Sequence, residues 1–149
     1  MKEVNVNLQI IGIIHSPYKT TQEAPRQGTD EICKIEIFEE YKEGLTDIEG
    51  FSHIHLFYWL HESKGYRLLV QTPWDVHPHG LFTTRSPHRP NPIGHCIVEL
   101  IEKNENILTV KGLDAIDGTP LLDIKPYTKK LEIRQNAKLG WIEKTDFKK

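Results

Sequence analysis

SHIHLFYWLH, Ser52 to His61, alternates with the period of an extended strand. Successive side chains of a strand point to opposite faces. Ile54, Leu56, Tyr58 and Leu60 therefore share one side, and His53, His55, Phe57, Trp59 and His61 share the other. The first set is core; the second is an aromatic face carrying three imidazoles. IGHCIVELI, Ile93 to Ile101, divides in the same way. Ile93, His95, Ile97, Glu99 and Ile101 fall on one side. Gly94, Cys96, Val98 and Leu100 fall on the other, small and apolar as a tightly packed barrel interior requires. Working outward, six further short apolar runs read as strands: Leu8–His15, Ile32–Phe38, Arg67–Val70, Leu81–Thr84, Ile107–Leu113 and Leu121–Ile124. Nine prolines and ten glycines interrupt any helical periodicity, so helical turns are expected only around Phe38–Gly44 and Arg134–Leu139. Many short strands with short connections predict an all-β fold, a small closed antiparallel barrel, because closure removes the strand edges that invite aggregation.

The 149 residues, 38% of them hydrophobic, suit a single domain spanning 1–149. Its core is expected over about 8–127, and a charged C-terminal arm over 128–149 bears Trp141 and Phe147 to pack on a neighbour. Nineteen Lys and Arg against 21 Asp and Glu leave a formal charge of −2, which argues against a uniformly basic coat and makes any nucleic-acid contact local. Cys33 and Cys96 sit inside apolar runs without CxxC spacing, so they are expected as reduced core residues of a cytoplasmic protein. The N-terminal MKEVNVNLQI is too polar for a signal peptide, and no apolar run approaches the ~18 residues needed to span a bilayer; no membrane partner is expected.

Three common chemistries are poorly served. The His53/His55 and His77/His79 pairs have spacing permissive for zinc, but Pro78 and Gly80 put the second pair in a loop and no carboxylate completes a metal motif. No metal is expected. There is no G-x-S-x-G elbow, and Ser86 has no evident orienting acid beside it. Neither a G-x-G-x-x-G turn nor a P-loop is present.

TTRSPHRPNPIGHC, Thr83 to Cys96, is more informative. Prolines 87, 90 and 92 fix φ and keep the residues before them extended, so much of the ordering entropy of this loop is already absent. Arg85 and Arg89 are thereby aimed, their planar forks suited to a carboxylate, a phosphate or an adenine ring. Two other stretches are similarly restricted. SPYKTTQEAPRQG holds Arg26 and Gln27 between a proline and a glycine, and DAIDGTPLLDIKPY sets Asp117 in an Asp-Gly turn followed by Asp123 and Lys125. Singly, each reads equally well as an ordinary turn.

IGIIHSPYK, APRQG, FSHIHLFYWLH, GLFTTRSPHRPNPIG and DAIDGTPLLDIKPY occur in the order and approximate spacing of the TsaA-domain family, typified by the TrmO β-barrel tRNA methyltransferases, which the chain resembles from about Leu8 to Tyr127. The resemblance implies a homodimeric barrel that binds S-adenosylmethionine and methylates N6 of a threonylcarbamoyl-adenosine next to the anticodon of tRNA. It implies cofactor contacts from Pro25, Arg26 and Gln27, from His61 and its neighbour Glu62, from Arg89, and from Ile116, Asp117 and Gly118. Two departures stand out. The longer bacterial members carry a further C-terminal domain beyond the matching part, and the Pro-Arg-rich stretch that usually precedes GLF is here VQTPWDVHPHG.

Methyl transfer from a sulfonium is an in-line displacement, so the site must align donor and acceptor and exclude water. A carboxylate or imidazole can take the proton lost from the exocyclic nitrogen. Asp117, Asp123 and His53 are candidates that the sequence does not rank, and Tyr127 joins the catalytic set as a residue on which turnover should depend. Tyr127, Trp59 or Trp74 can stack on a splayed base while Arg85, Lys125 and the lysines of the arm meet phosphates. Two other readings stay open: a non-catalytic module that binds S-adenosylmethionine, and a histidine-dependent metallohydrolase on a cupin-like barrel.

Overall fold

In the computed structural model, which describes residues 3–24 and 30–145, the strands close into the expected all-β barrel. Strands β1 (Gly12–His15), β2 (Ile32–Ile37), β3 (His53–Trp59), β6 (Ile93–Asn104), β7 (Ile107–Lys111) and β8 (Pro120–Pro126) pair in the order β1-β2-β7-β6-β3-β8 and back to β1. Every one of these pairings is antiparallel. Alternation built the interior as read: Ile54, Leu56 and Tyr58 of β3 and Val98 of β6 are buried with Ile14, Ile35, Ile37, Leu108, Val110 and Leu121. Each fully buried aliphatic side chain contributes about 1.5–3 kcal/mol, and these positions come from every strand of the wall. Gly94 is fixed by packing, since a Cβ there would collide with the Tyr58 ring. The register shifts at Phe57/Tyr58 and at Leu100/Glu102, irregularities of the kind that add local bend to a sheet.

Chain contacts divide the molecule into two compact units, one of residues 1–61 and 93–127 and the other of residues 62–92 and 128–149. The first is the barrel. The second contains the two-stranded pair β4 (Leu69–Val70) and β5 (His79–Gly80), the single-turn helix α1 (Lys129–Glu132) and a 3-10 turn over Gly140–Lys144.

Two expectations are corrected here. Leu81–Thr84 is not a strand but a 3-10 turn over Leu81–Thr83: the Thr83 and Thr84 hydroxyls donate to the carbonyls of Gly80 and Leu81 at 2.8 Å each, competing with ladder formation for those acceptors. At Arg134–Leu139 only a single hydrogen-bonded turn forms, with the Ala137 N–H on Arg134 O at 3.2 Å, and no helix. The arm is helical earlier, over Lys129–Glu132, and Arg134 donates to the carbonyls of Leu131 and Ile133, capping the end of that turn rather than extending it. The turn expected at Phe38–Gly44 is present as 3-10 structure over Glu39–Leu45. Among the described residues no helix is long and apolar enough to cross a membrane.

Candidate functional site

Antiparallel register fixes where the connections of the barrel begin. His15 of β1 lies opposite Lys34 of β2, Trp59 of β3 opposite Ile93 of β6, and Lys111 of β7 opposite Ile32 of β2. Ile13 of β1 faces Pro120 at the start of β8. The chain between β1 and β2, the excursion after β3 and the β7–β8 connection therefore all leave from one end of the barrel. These are the three stretches whose proline, glycine and Asp-Gly content marks them as restricted.

The β7–β8 connection is the best-defined part of that end. Asp117 accepts from the Ser16 backbone N–H at 3.0 Å through Oδ1 and from Lys19 Nζ at 2.9 Å through Oδ2. Its own N–H donates to Tyr18 O at 2.6 Å, and that of Gly118, which has a φ of +83°, donates to Ile14 O at 2.8 Å. Ser16 Oγ adds a bond to Ala115 O at 2.8 Å. The two loops are thus stitched to each other, and Gly118 supplies the left-handed backbone the turn requires. The Lys19 ammonium first, and the Ser16 N–H second, hold the Asp117 carboxyl below its ordinary range. With a third of its side chain exposed, it presents a fixed negative charge to solvent. A groove of about 730 Å³ opens beside it, lined by His15, Ser16, Lys19, Lys34, Thr109 and Asp117 among others.

Beneath that turn lies a pair that sequence reasoning missed. Tyr58 OH donates to Asp114 Oδ1 at 2.8 Å. Burial pushes the Asp114 carboxyl up, with the Tyr58 bond opposing it, and burial together with the Asp114 charge pushes the Tyr58 hydroxyl up as well. This bond ties β3 to the connection that carries Ile116, Asp117 and Gly118. Its signal was present, in an aspartate three positions before Asp117 in GLDAIDG, but only pairing of β3 with β8 brings the tyrosine to it.

The other expected residues are spread out. Pro25, Arg26 and Gln27 lie outside the described residues. Ile116 is buried. His61 is exposed, its N–H closing back on Trp59 O at 2.8 Å just past β3, and Glu62, which follows, is exposed. Arg89 is half-buried and donates from Nη1 to the carbonyls of Thr84 at 2.9 Å and Ser86 at 3.1 Å, so part of its fork braces its own loop; Arg85 is exposed. Asp123 and Lys125 form an exposed ion pair at 3.4 Å on the outer wall, opposite Phe57 and His55. Tyr127 follows β8 at the far end, its N–H on His53 O at 3.2 Å. Six residues of strand, about 20 Å at ~3.3 Å per residue, separate Tyr127 from Leu121 at the loop end. Within one barrel, then, Asp117 and Tyr127 are not neighbours.

The histidines of the aromatic face pair with each other. His55 Nδ1 and His95 Nε2 are 2.8 Å apart and the rings stack with centroids at 5.1 Å. Phe57 lies against His95 at 4.9 Å and Tyr127 against His55 at 5.8 Å. Among the described residues no group of three or more His, Cys, Asp or Glu is arranged to hold a metal ion.

Comparison with known proteins converges on one group. The model of the tRNA-methyltransferase O N-terminal domain matches residues 13–133. A probable S-adenosyl-L-methionine-binding protein of Archaeoglobus fulgidus is 50% identical over 143 residues, covering 95% of this chain and 39% of that protein. The tRNA (adenine(37)-N6)-methyltransferase of Escherichia coli is 35% identical, covering 89% of this chain and 62% of that enzyme. The crystal structure of TrmO from Pseudomonas aeruginosa superimposes with a TM-score of 0.76 at 29% identity, over 93% of this chain and 63% of that one. The chain thus spans under two thirds of the length of each of these three. The barrel, its loop end and a family match over most of the sequence lead to one assignment: this chain belongs to the family defined by the tRNA-methyltransferase O N-terminal domain.

Proposed function

We propose that the protein binds S-adenosylmethionine at the loop end of its barrel and transfers the methyl group to N6 of a threonylcarbamoyl-adenosine next to the anticodon of tRNA. The observation that carries the reading is Asp117, a carboxylate held ionised and oriented by Lys19 and Ser16 at the head of a groove. Its two oxygens each accept one bond from the protein and keep lone pairs for another donor, which suits the amine or ribose hydroxyls of this cofactor. When bound, the cofactor supplies an electrophilic methyl on a sulfonium. What the chain supplies is alignment: Ile116 and Gly118 shape the turn, and His61, Glu62, Arg89 and the segment Pro25–Gln27 take their cofactor roles from the family pattern. The proton from the acceptor nitrogen passes to a carboxylate or imidazole, for which Asp123 and His53 are the proposed acceptors, since Asp117 is held too acidic by Lys19 and Ser16 to take it readily. Arg85, Lys125 and Tyr127 are assigned to the RNA, through phosphate contacts and stacking. With both cysteines free thiols, we assign the activity to the reducing cytoplasm.

Because Asp117 and Tyr127 lie at opposite ends of β8, one site using both takes them from two subunits, and we infer a homodimer. The test of the substrate is transfer of labelled methyl from S-adenosylmethionine to tRNA with and without the threonylcarbamoyl group. Label only on the modified tRNA is expected; equal label on both, or none on either, would overturn the acceptor. A second reading, a binding module without catalysis, draws support from the binding-protein name of the 50% identical relative. It is separated by the same assay, as tight cofactor binding with no transfer to any RNA.

A further inference from the structure

In the smaller unit, His79 is held on two sides. Its Nε2 lies 2.8 Å from Asp75 Oδ2, with the two side chains only 17% and 22% exposed, and Asp75 Oδ1 accepts from the His77 N–H at 3.1 Å. The indole of Trp141 covers the ring face to face, with centroids 4.0 Å apart and planes 8° from parallel. Trp141 Nε1 in turn donates to Thr83, at 3.0 Å to Oγ1 and 3.3 Å to the carbonyl. From Thr83 the bonds run into the arginine-proline loop: Thr84 Oγ1 accepts from Ser86 N–H at 3.3 Å, and Arg89 closes on Thr84 and Ser86. Contacts thus join Asp75, His79, Trp141 and Thr83, and the peptide link from Thr83 to Thr84 carries the path on to Arg89. The arm that delivers Trp141 is exposed at every residue from 131 to 140, so it approaches the loop as a solvent-washed strap with a half-buried indole at its tip.

We propose that Trp141 is a positioning residue for the arginine-proline loop, and that a proton on His79 tightens the clasp by which the indole is held. A protonated imidazole stacked on indole gains a cation–π attraction, and its bond to Asp75 becomes charge-assisted. Both gains have the same sign, so protonation closes the clasp and deprotonation loosens it. Asp75 is held below the usual carboxylate range, chiefly by the His79 bond and next by the His77 N–H, and keeps its charge against the ring. The other charges on the elements around His79 are few. His77 shares its loop. Glu143 and Lys144 lie on the turn that carries Trp141, Glu143 being engaged by the Leu139 N–H at 3.0 Å. The paired strand β4 brings Leu69 and Val70, with Arg67 two residues before it, and the following turn brings Leu81, Phe82 and Thr83, with Arg85 beyond.

The clasp stands on this geometry; only its effect on cofactor affinity rests on the proposed function, and the experiment separates the two. Protein labelled with 5-fluorotryptophan gives one fluorine resonance per indole, with Trp141 identified by its loss in W141F. The Trp141 resonance is expected to shift with pH and to stop doing so in H79Q. A pH-independent Trp141 signal, or the same titration in H79Q, overturns the proton-operated clasp. Backbone amide shifts of Thr84 and Ser86 are expected to move in W141A and to move less in W141F, which keeps a stacking ring. If W141A does not fold, W141F alone decides: loop shifts identical to the unsubstituted protein overturn the positioning role. Calorimetry with S-adenosylmethionine is then expected to show binding about two- to fivefold tighter at pH 6 than at pH 8, a ratio that H79Q abolishes. Binding without that pH ratio overturns the coupling of clasp to loop; no binding at either pH, beside a titrating Trp141, overturns the proposed function and leaves the clasp standing.

Discussion

Tyr58 and Asp114 show how one residue pair joins the barrel to its loop end. Tyr58 lies with its ring against Gly94 and its hydroxyl on Asp114, so the same side chain fills the interior and bonds a half-buried carboxylate. Tyr58→Phe removes the donor and leaves that carboxylate under-bonded, at an expected cost of about 1–3 kcal/mol in unfolding free energy by urea titration. The companion D114N restores a neutral partner and is expected to lose less. Asp117, a few residues on, gives the pH sign. Its carboxyl is depressed by Lys19 and Ser16, so its contribution is present at neutral pH, above the unfolded carboxylate range, and is lost as pH falls through the depressed value. The stability difference between the parent and D117N is expected to shrink between pH 5 and 2, measured by denaturation at fixed pH steps. A difference that stays constant over that window would show that the stitch between the two loops does not depend on charge.

At the scale of elements, the arginine-proline loop is stiff for two reasons of different origin. Prolines 87, 90 and 92 restrict it by covalent geometry. Arg89 restricts it by bonding to its own carbonyls, and Ser63 adds a bond from Oγ to Pro87 O at 2.8 Å. Arg89 therefore serves the loop as well as any ligand. Arg89→Ala is expected to weaken S-adenosylmethionine binding by about 1–3 kcal/mol in calorimetry, and Arg89→Lys to recover little of it, because an ammonium cannot replace the planar fork. Full binding by the alanine variant would confine Arg89 to bracing the loop. The elements themselves were largely legible, since β3 and β6 declare both faces through alternation and the sequence reading located them within a few residues. The 81–84 run was misread because Leu81 and Phe82 look like strand residues until the threonine hydroxyls engage the preceding carbonyls. Of the short pair, β4 fell inside the Arg67–Val70 run read as a strand, whereas β5, two residues long, offered no periodicity to detect.

For the molecule as a whole, the wall divides by chemistry. Lys34, Glu36, Thr109 and Lys111 face outward on β2 and β7, whereas β3 and β6 present His53, Phe57, Trp59 and His95 beside Ile93, Ile97 and Ile101, the isoleucines being 40–50% exposed. The dimer inferred above predicts complementation between subunits. D117A and Y127A homodimers should each lose methyl transfer, and a mixture re-equilibrated to heterodimers should recover about a quarter of the parental rate per subunit, since half the molecules then carry one intact site of two. No recovery, with sedimentation showing that exchange has occurred, would sink the shared site.

Sequence alone determined the all-β class, the two faces of the central strands and the three restricted loops, because strand alternation and the φ limits of proline and glycine are local properties that any window of residues carries. It could not set the roots of those loops at one end of a barrel, nor separate Asp117 from Tyr127, nor seat Tyr58 on Asp114 and Trp141 on His79. Those pairs lie 56 or more residues apart along the chain or at opposite ends of one strand. Their distances are set by the register of antiparallel pairing and by the closing of the loops, which exist only when the whole chain has folded.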